Sequence, residues 1–427
     1  METDVQSIGP CEYDSPLRHT GGLEVNFKVD SERIFIDDRV TLGGESQARA
    51  SFEIAGPRER VFFQPGKITA GIVTCGGLCP GLNDIIRGIV MLCHYRYGIT
   101  RTLDFRYGYE GLVQRYGHAP MILRPESVAQ IHSFGGTILG SSRGPQDVAE
   151  MVDGLEDMKV DILFVVGGDG TLKGAADIAA EIKKRGLRKV VVGIPKTIDN
   201  DIMYLDKSFG FETAFAVAVQ AVKCAHVESQ GSVNGIGLVK LMGRDSGFIA
   251  CNAALAGGNV DFVLIPEVPF ELDGPSGLLE QLRYRIAKRK SAVIIVAEGA
   301  GQDLISAGGA DPSGNRKLGD IGIFLKERIA GFFKGRKFDA TVKYIDPSYM
   351  IRSVPANAAD NFYCSQLAQY AVHAAMAGKT AMLVGRWHGS FVHLPIPLAT
   401  QGRAKVNRNG DLWHAVIENT GQPASLS

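Results

Sequence analysis

The chain has 427 residues, of which 45% are hydrophobic and 22% charged, with 46 Lys plus Arg against 46 Asp plus Glu. This is the composition of a packed protein of roughly two to four domains, and it excludes a disordered or fibrous chain. A chain with no net charge has no overall field to draw it onto nucleic acid or an anionic membrane, so neither is expected as a partner and any anion site must be built locally.

Residues 1–65 interleave Ser, Asp, Gly and Pro with little periodicity, which predicts an N-terminal extension that wraps a neighbour or stays partly loose. The opening METDVQSIGPCEYDSPLRH lacks the basic and apolar regions of a secretory leader, and no later run reaches the ~18 apolar residues of a membrane span. A cytoplasmic protein is the expectation. The regular fold is expected to start after Pro65-Gly66, where KITAGIVT reads as a buried strand, CGGLCPGLN as a tight turn and DIIRGIVMLCHYR as a helix. Cys75 and Cys79 in that turn have no histidine and no second pair to complete a metal site, so the seven cysteines are expected as free, mostly buried thiols.

The strand, turn and helix pattern recurs. VDILFVVGGDG leads into TLKGAADIAAEIKKRG, and RKVVVGIPKTIDND leads into FETAFAVAVQAVKCAHVES. Further strands at GIGLVKLMGR, DFVLIPEVPF, SAVIIVAEGAG and ATVKYIDP alternate with helical segments as far as NAADNFYCSQLAQYAVHAAMAG. Short apolar strands alternating with helices predict an α/β fold: two doubly wound, Rossmann-like parallel-sheet lobes dividing near residues 205–235. Ligands of such folds bind beyond the carboxyl ends of the strands, and each chemically loaded turn falls at such an end. The active site is therefore expected in a cleft there.

Four turns carry the chemistry. In CGGLCPGLN, Gly76, Gly77 and Gly81 let backbone N–H groups approach an anion at a helix start, although glycine turns are often only tight turns. GGDGT follows the strand ILFVV, and its Gly168 and Gly170 let a nucleotide phosphate lie against the backbone. Its Asp169 supplies a hard oxygen for Mg²⁺ and Thr171 a hydroxyl, whereas an ordinary Asp/Thr helix cap would not need glycines on both sides of the carboxylate. In PKTIDND, Thr197, Asp199 and Asp201 alternate, so an extended backbone points them to one side, where a carboxylate can take the proton of an attacking hydroxyl. Asx-turn chemistry around Asn200 is the plainer reading, and it needs neither both acids nor Lys196. MGRDSG and LGSSRGP place Arg244 and Arg143 at turns, where a guanidinium neutralises phosphate charge. No G-x-x-x-x-G-K-[ST] run and no protein-kinase motif set is present.

The ordered set GG-x-x-PG-x-N, GGDGT, PKTIDND, GFETA, MGRDSG, PEVPF, AEGAG and YIDPSYMIRS resembles the 6-phosphofructokinases over residues 66–400. The extension and the run HLPIPLA to LWHAVIENTGQP are similar to the long-chain group of plants and trypanosomatids, which is mostly ATP-dependent. The resemblance implies a nucleotide-binding lobe over 66–210, completed by part of 355–400. It further implies a sugar-phosphate-binding lobe over 211–354 and a C-terminal helix and extension over 355–427. The implied substrates are fructose 6-phosphate and ATP, with Mg²⁺, in a homotetramer.

By the same resemblance Asp199 matches the catalytic base, with Thr197 and Asp201 beside it, and Asp169 matches the Mg²⁺-binding aspartate. Gly77, Arg143, Gly144, Gly168, Gly170, Thr171 and Lys196 match the nucleotide-phosphate side, Arg143 being placed to stabilise transition-state charge. Met242, Gly243, Arg244, Glu298, Tyr349 and Arg352 match substrate-binding positions, with Arg352 on the 6-phosphate. Tyr349 stands where bacterial ATP enzymes usually carry histidine. The two arginines that a neighbouring subunit contributes to the 6-phosphate have no match, since Gly235 and Asp339 fall near those positions; Lys343 is a candidate substitute.

Donor choice has two markers. Pyrophosphate-dependent members resemble GGDD followed by PKTIDND, and short bacterial ATP-dependent members resemble GGDG followed by PGTIDND, so this chain is a hybrid. Gly170 leaves room for the α-phosphate of a nucleotide, whereas an aspartate there repels it, and Lys196 serves either donor. ATP is therefore expected and pyrophosphate is the alternative. A kinase of NAD or diacylglycerol would have no TIDND and no MGR-x-SG. A silent regulatory subunit would have lost Asp169, Asp199 or Arg244, and all three are present.

Overall fold

The computed structural model describes residues 2–19, 22, 24–39, 49–305, 309 and 317–426; residues 40–48 of the expected N-terminal extension lie outside the described residues. The chain divides into two units. Met1–Ile198, Ile202–Gly210 and Ser353–Gly402 form the first, and Asp199–Asp201, Phe211–Arg352 and Arg403–Ser427 form the second.

The first unit is built on a nine-stranded sheet. Its middle is five parallel strands in the order Met382–Trp387, Val190–Pro195, Ile162–Gly167, Thr69–Thr74 and Arg101–Phe105. Thr69–Thr74, Ile162–Gly167 and Val190–Pro195 are apolar runs buried along their length, as a strand covered on both faces must be, whereas Arg101–Phe105 is mixed and begins at an exposed Arg101. Leu163 and Val165 join a core with Val152, Leu155, Leu172 and Ile178 of the helices Val148–Asp157 and Asp169–Lys184. Helix Ala358–Met376 lies against helix Leu82–Tyr97 and against strands Val190–Pro195 and Met382–Trp387. Winding reverses between Thr69–Thr74 and Ile162–Gly167, so the turns after these two strands flank a topological switch point.

Antiparallel strands finish both edges of that sheet. Two of them, Arg33–Phe35 and Ser51–Ile54, come from the N-terminal extension, and Gln6–Ser7 pairs with Lys379–Thr380. The described parts of the extension are thus hydrogen-bonded into the first unit rather than loose. Strands of two to four residues carry too little periodicity to be seen in sequence.

The second unit holds four parallel strands in the order Phe262–Leu264, Ser291–Ala297, Gly235–Leu241 and Thr341–Ile345. Helix Phe211–Gln230 packs on three of them. Helices Leu278–Arg289 and Ile321–Gly335 share a core with Ile236, Leu238, Ile294 and Val296. Residues 403–427, expected to continue one C-terminal piece with 355–402, belong here instead, where Gln422 exchanges hydrogen bonds with the backbone of Val263. All seven cysteines are free thiols; five are buried, Cys11 is partly exposed and Cys224 is exposed.

Candidate active site

In the first unit the strand ends bring three turns together. Lys196 N–H donates to the Gly167 carbonyl at 2.9 Å, and Cys75 N–H donates to Val166 at 2.9 Å, so the turns after three adjacent strands are in register. The Lys196 side chain is buried and donates to the Gly77 carbonyl at 2.8 Å. A lysine expected over a phosphate is therefore also a strut that ties PKTIDND to the glycine turn. LGSSRGP docks on the same turn: Gly76 N–H donates to Ser142 at 3.2 Å and Ser141 Oγ donates to Gly76 at 2.6 Å. Arg143 follows, with its guanidinium 3.7 Å from where a Gly77 Cβ would lie, and Gly144 continues at φ +100°.

Asp169 opens the helix Asp169–Lys184, whose exposed N–H groups and positive dipole end favour an anion. Its carboxylate is 2.9 Å from Lys173, one turn along. Gly168 caps the helix in extended conformation. A Cβ on Gly170 would meet nothing within 4 Å, so this face of the first turn is open. Thr171 is held from beneath, its carbonyl accepting from the Tyr109 hydroxyl at 2.6 Å.

No group of three or more His, Cys, Asp or Glu side chains fit to hold a metal occurs among the described residues. A lone carboxylate beside an open helix start fits a magnesium ion that takes its remaining ligands from phosphates and water. Asp169 would hold it.

In the second unit the acids gather. Asp201 is buried, 2% exposed, and its carboxylate pairs with the Arg403 guanidinium. Asp199 is partly exposed as a residue, but its Oδ1 is sealed from solvent. Burial, then Asp201 and Glu298, push the Asp199 carboxyl well above the usual carboxylate range, against the opposing pull of the Arg244 backbone and Arg403. Burial also raises Glu298, opposed by Arg244 and Lys240. Arg244 and Glu298 follow the carboxyl ends of adjacent strands: Glu298 N–H donates to Leu241 at 2.9 Å and Gly299 N–H to Gly243 at 3.1 Å. That pair of bonds fixes Met242, Gly243 and Arg244 beside Glu298.

Tyr349 and Arg352 share the short helix Ser348–Ser353 after the fourth strand, with the guanidinium 4.5 Å from the Tyr349 ring centroid. Gly235 and Asp339 mark the opposite, amino ends of the strands; Asn234 Nδ2 donates to the Asp339 carbonyl there at 2.7 Å. Lys343 lies in mid-strand with its ammonium 3.7 Å from Glu228. Thr197 belongs to the first unit, and its carbonyl accepts from Ser208 Oγ.

Three residues of the site were not singled out from sequence: Arg403, Asp245 and Ser246. Ser246 Oγ donates to the Asp199 carbonyl at 3.1 Å and Arg403 stands 3.5 Å from Asp245. The last two sit inside MGRDSG and were legible as neighbours of Arg244. Arg403 lies 202 residues from its partner Asp201, a separation that no spacing rule bridges.

The chain is similar over nearly its whole length to curated proteins. One named ATP-dependent 6-phosphofructokinase, from Amycolatopsis methanolica, is 48% identical and covers 99% of this chain and 95% of its own. Relatives of the same name from Trypanosoma cruzi (48%) and Arabidopsis thaliana (45%) each cover 97% of this chain, and 87% and 88% of their own. Among solved structures, a pyrophosphate-dependent phosphofructokinase from Marinobacter aquaeolei superposes with a TM-score of 0.66 over 83% of this chain and 92% of its own. At 18% identity that likeness speaks for the fold alone. The family model described as phosphofructokinase matches residues 69–375, which takes in the glycine turn, GGDGT, PKTIDND, MGRDSG and the Tyr349 helix, and by that match the chain belongs to the phosphofructokinase family.

Proposed function

We propose that the chain is an ATP-dependent 6-phosphofructokinase, moving the γ-phosphate of Mg·ATP to the 1-hydroxyl of fructose 6-phosphate. The observation that carries the donor is the open face at Gly170, where an added Cβ would meet nothing within 4 Å, which leaves room for a nucleotide phosphate. Relatives that match across the chain bear the ATP-dependent name, in agreement with it.

In this reading the first unit holds the donor. Backbone N–H groups of Gly77 and of the Gly168–Thr171 helix start take phosphate oxygens, and Arg143 and Lys196 add positive charge. Magnesium held by Asp169 would supply charge neutralisation between phosphate groups. The second unit holds the acceptor: Met242, Gly243, Arg244 and Glu298 take the sugar, and Tyr349 and Arg352 its 6-phosphate. Asp199 removes the 1-hydroxyl proton as that oxygen attacks phosphorus, and Thr197 and Asp201 orient the turn.

We infer two further features, assembly as a homotetramer and a cytoplasmic location. Tyr349 and Met350, 76% and 67% exposed, are apolar surface of the kind an assembly covers. No helix among the described residues is long and apolar enough to cross a membrane.

The test is a coupled assay of fructose 1,6-bisphosphate formation from fructose 6-phosphate and Mg²⁺, with ATP or pyrophosphate as the only donor. Turnover with ATP alone is expected. Turnover with pyrophosphate alone would mean that Lys196 outranks Gly170 and the donor assignment falls.

A further inference from the structure

The acid-bearing turn is anchored by residues from the far end of the chain. The Arg403 guanidinium pairs with the Asp201 carboxylate and stands 3.5 Å from Asp245, and the Ala404 N–H donates to the Asp201 carbonyl at 2.8 Å. Val406 N–H donates to Glu267 Oε1 at 2.8 Å, and the same oxygen accepts from Gly247 N–H at 3.0 Å. Ser246 Oγ closes the lacing on the Asp199 carbonyl. Segment 403–406 therefore holds both the Asp199–Asp201 stretch and the turn after Arg244, all within the second unit.

Resting on the reading of Asp199 as the base, we propose that Arg403 is a positioning residue for it: the guanidinium holds Asp201 and Asp245 in place and supplies the fixed positive charge that offsets the carboxylates around Asp199. Three influences oppose ionisation of Asp199: burial first, then Asp201 and Glu298. Two favour it, the hydrogen bond from the Arg244 backbone and the Arg403 charge. Arg403 is thus the one cationic side chain among the leading influences on the base, and it reaches the base through Asp201 rather than through substrate. A planar guanidinium can serve two carboxylates at once, which a lysine cannot do with the same geometry. An arginine that only fastened the C-terminal segment would need no second acid from the Arg244 turn.

The test reads Asp199 directly. The carboxyl infrared band that is lost in Asp199→Asn is titrated against pH in the unliganded protein, then in Arg403→Gln and Arg403→Lys. Arg403→Gln is expected to move the midpoint up by about one pH unit and to lower kcat about 10-fold to 100-fold at neutral pH, with KM for fructose 6-phosphate within about threefold. The acid limb of kcat should move with the band. Arg403→Lys should restore the midpoint but only part of the rate, and exposed Lys405→Gln should change neither. A folded Arg403→Gln with an unmoved midpoint overturns the proposal, as does a KM rise with kcat and its acid limb intact, which would make Arg403 a substrate contact. Should Arg403→Gln fail to fold, Arg403→Lys decides: a rate equal to wild type overturns positioning. Failure of the unmodified protein to turn over with either donor sinks the functional reading, whereas the infrared midpoint judges Arg403 in either case.

Discussion

As the proposed base, Asp199 is under two opposing demands. A base must be ionised to accept a proton, yet burial among Asp201 and Glu298 favours the protonated form. The raised carboxyl makes the folded state bind a proton that the unfolded chain releases above the ordinary value of 3.8, so Asp199 lowers stability as pH rises from there through its folded value. Asp199→Asn removes that penalty. It is expected to raise Tm at pH 7 to 8 and to leave Tm unchanged near pH 4, while cutting kcat at least about 10²-fold with sugar-phosphate binding intact. Calorimetry across pH checks the sign, and a Tm deficit at pH 8 would show that Asp199 is ionised by a stronger cationic field than the one described. Gly170 makes a second prediction at this scale. An aspartate there would enter the open space at the helix start and place a charge against the nucleotide phosphates. Gly170→Asp should lower kcat/KM for ATP by more than about 100-fold with the fold intact, and any gain in pyrophosphate turnover is read in the same assay.

Elements place these residues through their ends. Strand Gly235–Leu241 is followed by Gly243 at φ +125°, and strand Ser291–Ala297 by Gly299. A Cβ on Gly299 would lie 1.8 Å from the Arg244 carbonyl, so only glycine lets the two strand-end turns touch. Gly299→Ala must push Arg244 away: a cost of roughly 1–3 kcal/mol in urea unfolding is expected, together with a rise in KM for fructose 6-phosphate that Gly301→Ala would not produce. The strands were legible in sequence because a both-faces-buried strand is a continuous apolar run, as ILFVV and AVIIVA are. The turns were legible because glycine and charge cluster where a strand ends. What could not be read was the second use of a residue. Lys196 carries charge and also braces Gly77, and only the register of three strands shows the second part. The short edge strands of the N-terminal extension were missed because pairing, not pattern, creates them.

At the scale of the whole first unit, the extension closes one edge of the large sheet with buried charge. Glu53 sits on strand Ser51–Ile54, 6% exposed at its side chain, and accepts from Arg58 at 2.8 Å, His393 Nδ1 at 2.8 Å and Lys379 at 2.9 Å. Burial opposes its ionisation, but the His393 hydrogen bond and the Lys379 ammonium outweigh it and bring the carboxyl down to about 2. Asp30, also lowered, takes the outer hydrogen bonds of Arg58 and Lys379, so the extension contributes both acids and the sheet contributes Lys379 and His393. A depressed carboxyl contributes stability that is fully present above its ordinary value of 4.5 and is lost as pH falls through about 2. Removing the acid while leaving two buried cations is more costly than never having had the cluster. Glu53→Gln is therefore expected to cost about 3–5 kcal/mol at neutral pH, whereas Glu53→Gln combined with Lys379→Met and Arg58→Met should recover much of that loss. The difference between Glu53→Gln and wild type should shrink as pH falls from about 4.5 towards 2, where wild type loses the same interaction. Urea unfolding at pH 7 and pH 3 measures both. A loss that stayed constant across pH would mean that Glu53 acts by packing rather than by charge, and that hydrogen-bonded backbone alone holds the extension to the sheet edge.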